Sequence, residues 1–289
     1  MSIANPLADS ASTDPEDRIL VARARSGDRA GLEELVRRHQ GWIYNIAIRM
    51  LHHPQDAEDA TQEILLKAVT RLSSFEDRSS FRTWLYRIVV NHVLNMKRGR
   101  IEREGLTFQS FAEDLDATAD HDLPDRTSGS PDARLLVVEA MITCTSGMLL
   151  CLDREQRLTY VLGEILGVSD TVGAELLEIS RDNFRQRLAR ARRDLHSFMD
   201  GKCGLVNPTN PCRCAKKTRG FIDAGYVDPE NLVFASDHVR QVREVVPTAL
   251  ETIKTLDERC AAVYREHPFL EAPDLTSMLR RLLASEELR

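Results

Sequence analysis

The stretch GVSDTVGAELLEISRDNFRQRLARARRDL, residues 167–195, decides the fold. Its pattern predicts a short helix, a tight turn at Glu178, Ile179 and Ser180, and a longer basic helix. Ser180 is a good N-cap, because its hydroxyl accepts from the free amides of the next turn. In the second helix Phe184, Leu188, Ala191 and Leu195 recur at helical spacing and make one apolar stripe. Arg181, Arg185 and Arg192 lie off that stripe. Residues 181–195 carry six arginines against Asp182 and Asp194. A basic helix docked by one apolar edge, with its N-terminal polar residues free, has the form of a helix-turn-helix element entering a major groove. Arg181, Asn183, Arg185 and Gln186 are placed for base edges, since Arg pairs with guanine and Asn or Gln with adenine. Arg190, Arg192 and Arg193 suit phosphates. An ordinary surface helix with a solvated charged face shares this local pattern. Glu178 also stands where such turns often carry Gly. What separates the two readings lies upstream.

The chain has 289 residues, a length that suggests two or three domains. A net charge of −6 argues against a non-specific nucleic-acid coat. The charge is placed rather than averaged: residues 75–100 hold six Lys and Arg against two acids, whereas residues 101–132 hold nine acids against two Arg. No apolar run is expected to cross a bilayer, and the N-terminus lacks a basic-then-apolar signal pattern. A cytoplasmic protein without membrane insertion is the expectation. Six cysteines in such a chain read as reduced thiols or metal ligands rather than a disulfide framework.

Residues 1–15 are Ser-, Ala-, Asp- and Pro-rich without period and read as disordered. From Glu16 the pattern turns helical. Leu32, Leu35, Val36, Ile43, Ile46, Ala47 and Met50 mark a long helix ending before Pro54. Asp56 is expected to cap the next helix, whose buried face is Ala57, Ala60, Ile64, Leu65, Ala68 and Leu72. Glu58, Asp59, Gln62 and Glu63 lie on its polar face. After a turn at 73–80, a third helix puts Phe81, Trp84, Leu85, Ile88, Val89, Val93 and Met96 inward and ends at Lys97-Arg98-Gly99-Arg100. Residues 101–131, punctuated by Pro and Gly, read as an acidic linker. Helical periodicity returns at Pro131 through Leu135, Leu136, Val138, Met141 and Ile142, and again at Leu158, Val161, Leu162 and Ile165.

The order of parts then becomes specific. HPQDAEDATQEILLKAV (53–69) and FEDRSSFRTWLYRIVVNHVLNMKRGR (75–100) are followed by the acidic linker. LDREQR (152–157) and the helix-turn-helix come next. This resembles a bacterial RNA polymerase sigma factor of the extracytoplasmic-function group, over roughly residues 16–198. The resemblance implies an all-α chain of two helical domains, a sigma-2-like bundle at 16–100 and a sigma-4-like helix-turn-helix domain at 132–200, joined by the linker at 101–131. It implies core RNA polymerase and promoter DNA as partners, with an anti-sigma factor as a further one. The docking face for polymerase falls on Asp56, Glu58, Asp59, Gln62, Glu63 and the apolar rim at Leu66. A fixed acidic face steers a basic partner. Acids at a helix N-terminus also complement its dipole, which accounts for Asp56 and Asp59 but not for Gln62 and Glu63. Strand opening falls on the turn and helix at 75–100. Asp77, Arg78 and Ser80 would shape a loop for an unstacked base. Arg82, Arg87, Asn91, Lys97 and Arg98 would follow the exposed strand. Trp84 falls on the apolar stripe and is read as core. One departure from the family is Val172-Gly173, where an acidic-then-Ile pair is usual; Gly inside a helix costs about 1 kcal/mol relative to Ala.

Residues 201–289 exceed the two-domain plan and read as a small helical extension. Its segment KCGLVNPTNPCRCAKKTRG has Pro and Asn turns that would bring Cys203, Cys212 and Cys214 together. Zinc at that cluster would need a fourth ligand, for which Cys260, His196, His238 and His267 are the candidates. Redox-sensing thiols and a purely structural cluster are the alternatives. Cys144 and Cys151 sit in an apolar stretch and read as buried small hydrophobes. Further helices are expected over 233–264 and 275–288, forming a cap that controls access to polymerase.

The reading is a non-enzymatic transcription initiation factor. No phosphate loop, zinc-protease motif or nucleophile elbow is visible. A one-component helix-turn-helix regulator with a metal- or ligand-sensing C-terminal domain is the rival. It would need no acidic docking helix. A nucleic-acid enzyme using the thiols as a metal site is a third, lacking a general base beside them.

Overall fold

The computed structural model describes residues 15–96, 105–121, 131–234 and 255–265, with single positions 272, 274, 275, 277 and 280. All regular structure among them is helical. The first helices are α1 (Pro15–Arg25), α2 (Arg29–Leu51) and α3 (Pro54–Thr70). A 3-10 turn at Leu72–Ser74 and α4 (Phe81–Asn95) follow. Then come α5 (Phe108–Ala117), α6 (Pro131–Leu150), α7 (Arg154–Tyr160) and a π turn at Val161–Ile165. The last are α8 (Asp170–Leu177), α9 (Arg181–Lys202), α10 (Cys214–Asp223) and α11 (Leu256–Arg265).

The chain divides into two compact units. One comprises Ala4–Lys97, Val161–Phe184 and Leu270–Arg289, the other Met1–Ile3, Arg98–Tyr160 and Arg185–Phe269. The break at Lys97/Arg98 lies three residues from the boundary expected at 100/101, whereas residues 161–184 fall outside the unit that holds the rest of 132–200. Helix α8 packs on α4 and so falls with the first unit. The linker and residues 201–269 of the extension fall with the second, where α10 packs on α6, whereas residues 270–289 fall with the first.

In the first unit, α1 to α4 bury Ile43, Ile46, Ala57, Ile64, Leu85 and Val89. Tyr86 is fully buried and stacks on Trp42, with ring centroids 4.1 Å apart and planes at 13°. Trp84 is half-buried and tilts against Phe75 and Phe81, each 5.5 Å away. A buried polar knot ties three helices together. Asp17 on α1 meets Arg38 at 2.7 Å and His39 at 3.1 Å on α2, with Arg82 of α4 at 3.9 Å. The Trp42 indole N–H donates to His39 Nδ1 at 3.0 Å. Indole only donates, so Nδ1 is the acceptor, and Nε2 carries the proton given to Asp17.

Local chemistry differs from expectation at two places. Asp56 is not the cap of α3. His53 takes that position with extended backbone, Pro54 opens the helix, and the Asp56 amide donates to the His53 ring at 3.5 Å. Proline suits the first helical position because its missing N–H is one the helix leaves unpaired. Asp56 instead adds negative charge to the first turn, where the dipole favours it. The turn between α8 and α9 uses Glu178 in the left-handed region, φ 54° and ψ 41°, where a Cβ is strained. Glu178→Gly should therefore raise stability by about 1 kcal/mol, read as a rise in thermal midpoint. An unchanged or lower midpoint would show that the Glu178 side chain offsets its backbone cost.

The second unit holds two further differences. The acidic linker is not structureless: α5 lies within it, closed by a capping box between Thr107 and Ser110. Helix α6 contradicts the expectation of no bilayer-length apolar run, since residues 133–150 have mean hydropathy 1.5 over 18 residues. Ala140, Ile142, Met148, Leu149 and Leu150 are nonetheless buried in the protein's own core, alongside Glu139 and Thr145. Glu139 accepts from the amides of Val233 and Phe234, both at 2.8 Å. Arg157, only 2% exposed, closes the C-terminus of α6. Its guanidinium donates to the carbonyls of Leu149 at 3.0 Å, Leu150 at 3.3 Å and Leu152 at 3.0 Å. Residues 1–14, Lys97, Arg98, the candidate ligands His238 and His267, the 239–253 periodicity and most of the last expected helix lie outside the described residues.

Candidate nucleic-acid interface and acidic docking face

The helix-turn-helix forms from local signals. Ser169 caps α8 by accepting from Val172 N at 3.3 Å, and Ser180 caps α9 by accepting from Asn183 N at 3.2 Å. Phe184, Ala191, Leu195 and Met199 are buried along one side of α9, and Leu188 is half-buried. Asn183, Gln186, Arg190 and Arg193 follow one another at three- and four-residue spacing on the exposed side. Arg185 is exposed on the flank, while Arg192 is half-buried. Arg181 reaches back across the turn to Asp170 at 3.2 Å, and Arg193 pairs with the adjacent Asp194 at 3.0 Å. Arg187, not singled out in the sequence, pairs with Glu155 of α7 at 2.7 Å and is mostly covered. Of the basic residues of α9 expected to touch DNA, Arg181, Arg185, Arg190 and Arg193 are exposed.

Gly173 proves to be a packing requirement. A Cβ at that position would lie 2.3 Å from Cε2 and 2.4 Å from Cζ of Phe184. The ring of the first buried residue of α9 rests directly on the backbone of α8. The departure from the family pattern therefore sets how closely the two helices approach.

The element expected to open strands is less free than its sequence suggested. Asp77 has φ 54° and faces Arg25 at 3.4 Å. Arg25 also donates to Leu72 O at 3.1 Å and sits over the Phe75 ring at 5.5 Å. Arg78 is highly exposed and pairs with Glu76 at 2.7 Å. The Ser80 hydroxyl caps α4 by accepting from Thr83 N at 3.1 Å. Arg82 turns inward toward Asp17. Arg87 donates to Glu175 of α8 at 2.8 Å, and Asn91 is exposed. Thus Arg78 and Asn91 present polar groups outward, whereas Ser80 and Arg82 serve the fold of α4.

On α3, Asp59 and Glu63 are exposed while Asp56, Glu58, Gln62 and Leu66 are half-buried, so the acids share one face with an apolar rim. Gln62 donates to Glu58 at 3.3 Å. Lys67 lies 3.8 Å from Glu63 and 2.7 Å from His92 Nδ1. Burial first, and then the Lys67 charge, hold the His92 pKa below its ordinary value, so the imidazole accepts from the ammonium. The Lys67 ammonium is thus shared between His92 and Glu63, while Asp59 stays exposed.

The 203–214 loop folds back on the end of α9. Asn207 and Asn210 donate to Asp200 O at 3.1 Å and 2.7 Å, and Arg213 donates to Pro208 O at 2.9 Å. All six cysteines are free thiols. Burial pushes the Cys144 thiol well up, and Cys214, Cys203 and Cys212 push it further by charge. Cys260 is raised to about 12 by burial and by Cys203. Burial also raises Cys203, offset in part by the Leu205 and Val206 amides that donate to its sulfur. The Cys203 charge bears on Cys144, Cys212, Cys214 and Cys260, raising each of them. Among the described residues no three His, Cys, Asp or Glu side chains are placed to hold a metal ion. His196, a candidate fourth ligand, is engaged elsewhere, with Nδ1 2.7 Å from Asp257 and Nε2 2.9 Å from the Tyr160 hydroxyl.

Residues 35–101 match the family described as Sigma-70 region 2. That span covers most of α2, the acidic α3 and all of α4. The RNA polymerase sigma-H factor of Pseudomonas aeruginosa is 32% identical over 184 residues, covering 62% of this chain and 92% of that protein. The ECF RNA polymerase sigma factor SigM of Mycobacterium tuberculosis is 30% identical over 176 residues, covering 61% of this chain and 81% of that protein. A solved structure of CnrH with the cytosolic domain of CnrY matches with TM-score 0.46 and 24% identity, over 64% of this chain and 98% of that one.

Proposed function

The chain belongs to the ECF group of RNA polymerase sigma factors, and we propose on that premise how its parts divide the work. It is a transcription initiation factor whose partners are core RNA polymerase and promoter DNA. The observation that carries this is the likeness over nine-tenths of a sigma factor's own length, with an acidic docking helix and a helix-turn-helix in one chain. A one-component regulator would not need the former.

In this reading α3 offers Asp59 and Glu63, with Leu66 at the rim, to a basic surface of the polymerase. Helix α9 enters duplex DNA, with Asn183, Arg185 and Gln186 at base edges and Arg190 and Arg193 at phosphates. Arg78 and Asn91 contact parted strands near the start site. The protein supplies no catalytic step of its own, acts in the cytoplasm, and has an anti-sigma factor as a further partner by family membership. The test is run-off transcription from a cognate promoter with core polymerase, together with a footprint. Start-site-specific transcripts support the reading, and a footprint on duplex without polymerase favours the rival. Asp59→Lys should slow association with core polymerase roughly tenfold, because a charge at an interface rim acts mainly on the on-rate. An unchanged association rate would remove Asp59 from the docking face.

For the thiols we propose the structural alternative. Groups held protonated by a dry surrounding are poor ligands and poor nucleophiles, since the thiolate is the reactive form. Elemental analysis of purified protein should find no stoichiometric zinc or copper, with the same result for Cys212→Ser. One metal ion per chain, lost in Cys212→Ser, would reinstate the zinc reading at Cys203, Cys212 and Cys214.

A further inference from the structure

The C-terminal extension and the end of α9 build a groove, and a segment of the interdomain linker lies in it. Phe108 and Phe111 of α5 pack on the Phe198 ring, with centroids 5.1 Å and 5.8 Å away. Leu115 enters a buried cluster with Ala140 of α6 and Phe221 and Val227 of the extension. The acidic side is matched as well. Lys202 donates to Asp116 at 2.5 Å, and Lys217 lies 3.1 Å from Asp120. Beyond α5 the chain runs against α10 by its backbone: Lys217 donates to Thr118 O, and His121 N donates to Lys216 O at 2.9 Å. Gly220 makes room for this approach, because a Cβ there would lie 3.0 Å from Ala119 O and 2.5 Å from the Thr118 methyl. Lys217 is 8% exposed, so its ammonium is committed to this segment rather than to water.

We propose that the extension is a docking surface for an acidic amphipathic segment, that the chain's own residues 107–121 occupy it, and that binding of core polymerase lifts them out. The sequence shows why this matters, given the sigma-factor reading on which the inference rests. With residues 107–121 held, the nine residues between Lys97 and Thr107 let them part by at most about 35 Å when fully extended. With them freed, the chain from Lys97 to Pro131 reaches about 115 Å. The held segment also keeps its acidic and aromatic side chains from any other partner. A partner that needs the length or the side chains binds only the released fraction, and its apparent affinity falls by that fraction.

Hydrogen exchange on the full-length protein tests this. Amides of 107–121 should exchange at least tenfold more slowly than in a synthetic peptide of the same residues. Leu115→Asp should bring the rates close to the peptide's. Because Leu115 is buried, a surface pair provides the control: Lys202→Glu should speed exchange, and adding Asp116→Lys to it should restore protection. Adding core RNA polymerase to the wild-type protein should speed exchange of the same amides, and Leu115→Asp should bind polymerase at least threefold more tightly. Wild-type rates equal to the peptide's would overturn the groove. Unchanged rates in the polymerase complex would overturn the release. If no complex with polymerase forms at all, the sigma-factor reading fails, while the free-protein rates still decide whether the groove holds the linker.

Discussion

Gly173→Ala should cost the protein about 2 kcal/mol of stability and at least tenfold in specific duplex affinity. Alanine is the better helix former by about 1 kcal/mol, so propensity alone predicts the opposite sign. The overlap decides it: the new Cβ would sit 2.3 Å from the Phe184 ring. Phe184 is the first buried residue of α9 and 1% exposed, so the ring has little room to turn away. Relief must come from α8 and α9 moving apart, which re-aims Asn183 and Gln186. A double-mutant cycle separates the causes. Phe184→Leu should weaken the protein alone and remove most of the penalty of Gly173→Ala. A penalty unchanged in the Phe184→Leu background would mean that the two residues do not couple.

Arg157→Met should lower stability by about 3 kcal/mol, seen as a lower urea midpoint with an unchanged slope. Methionine fills a similar volume, so little of the loss is cavity. Three buried carbonyls, two in the last turn of α6 and one just past it, lose a charged donor. Burying a guanidinium has its own desolvation cost, whose removal offsets part of the loss. Arg157→Lys should recover less than half, because an ammonium lacks the planar fork that reaches several carbonyls together. A midpoint shift under 1 kcal/mol would show that water or a neighbouring donor takes over the carbonyls.

Much of the candidate site was legible because its signals are local. The Ser180 cap, the Phe184–Leu195 stripe and the outward basic side of α9 depend on residues within two turns of one another. The acidic face of α3 was legible for the same reason. The approach of Arg82 to Asp17 was not legible because Asp17 lies on another helix, and a lone Arg on a helix looks the same whether it faces water or a buried carboxylate. Ser80 was read as shaping a loop for an unstacked base, and the structure adds that its hydroxyl caps α4. Arg157 hid inside LDREQR as one charge among four. The linker was read from charge and punctuation, which masked the spacing of Phe108, Phe111 and Leu115.

The sequence by itself determined that the chain is helical, where α4, α6 and α9 start, and which family's order of parts it follows. These properties rest on periodicity and capping, which act within three or four residues. Tertiary structure alone decided that residues 201–269 of the extension belong to the compact unit of the linker, that the space beside Gly173 is filled by an aromatic ring, and that Lys202 and Lys217 meet Asp116 and Asp120. Each of these depends on which residues meet across roughly ten to a hundred positions of chain, and the free energy of such a meeting belongs to the pair rather than to either residue.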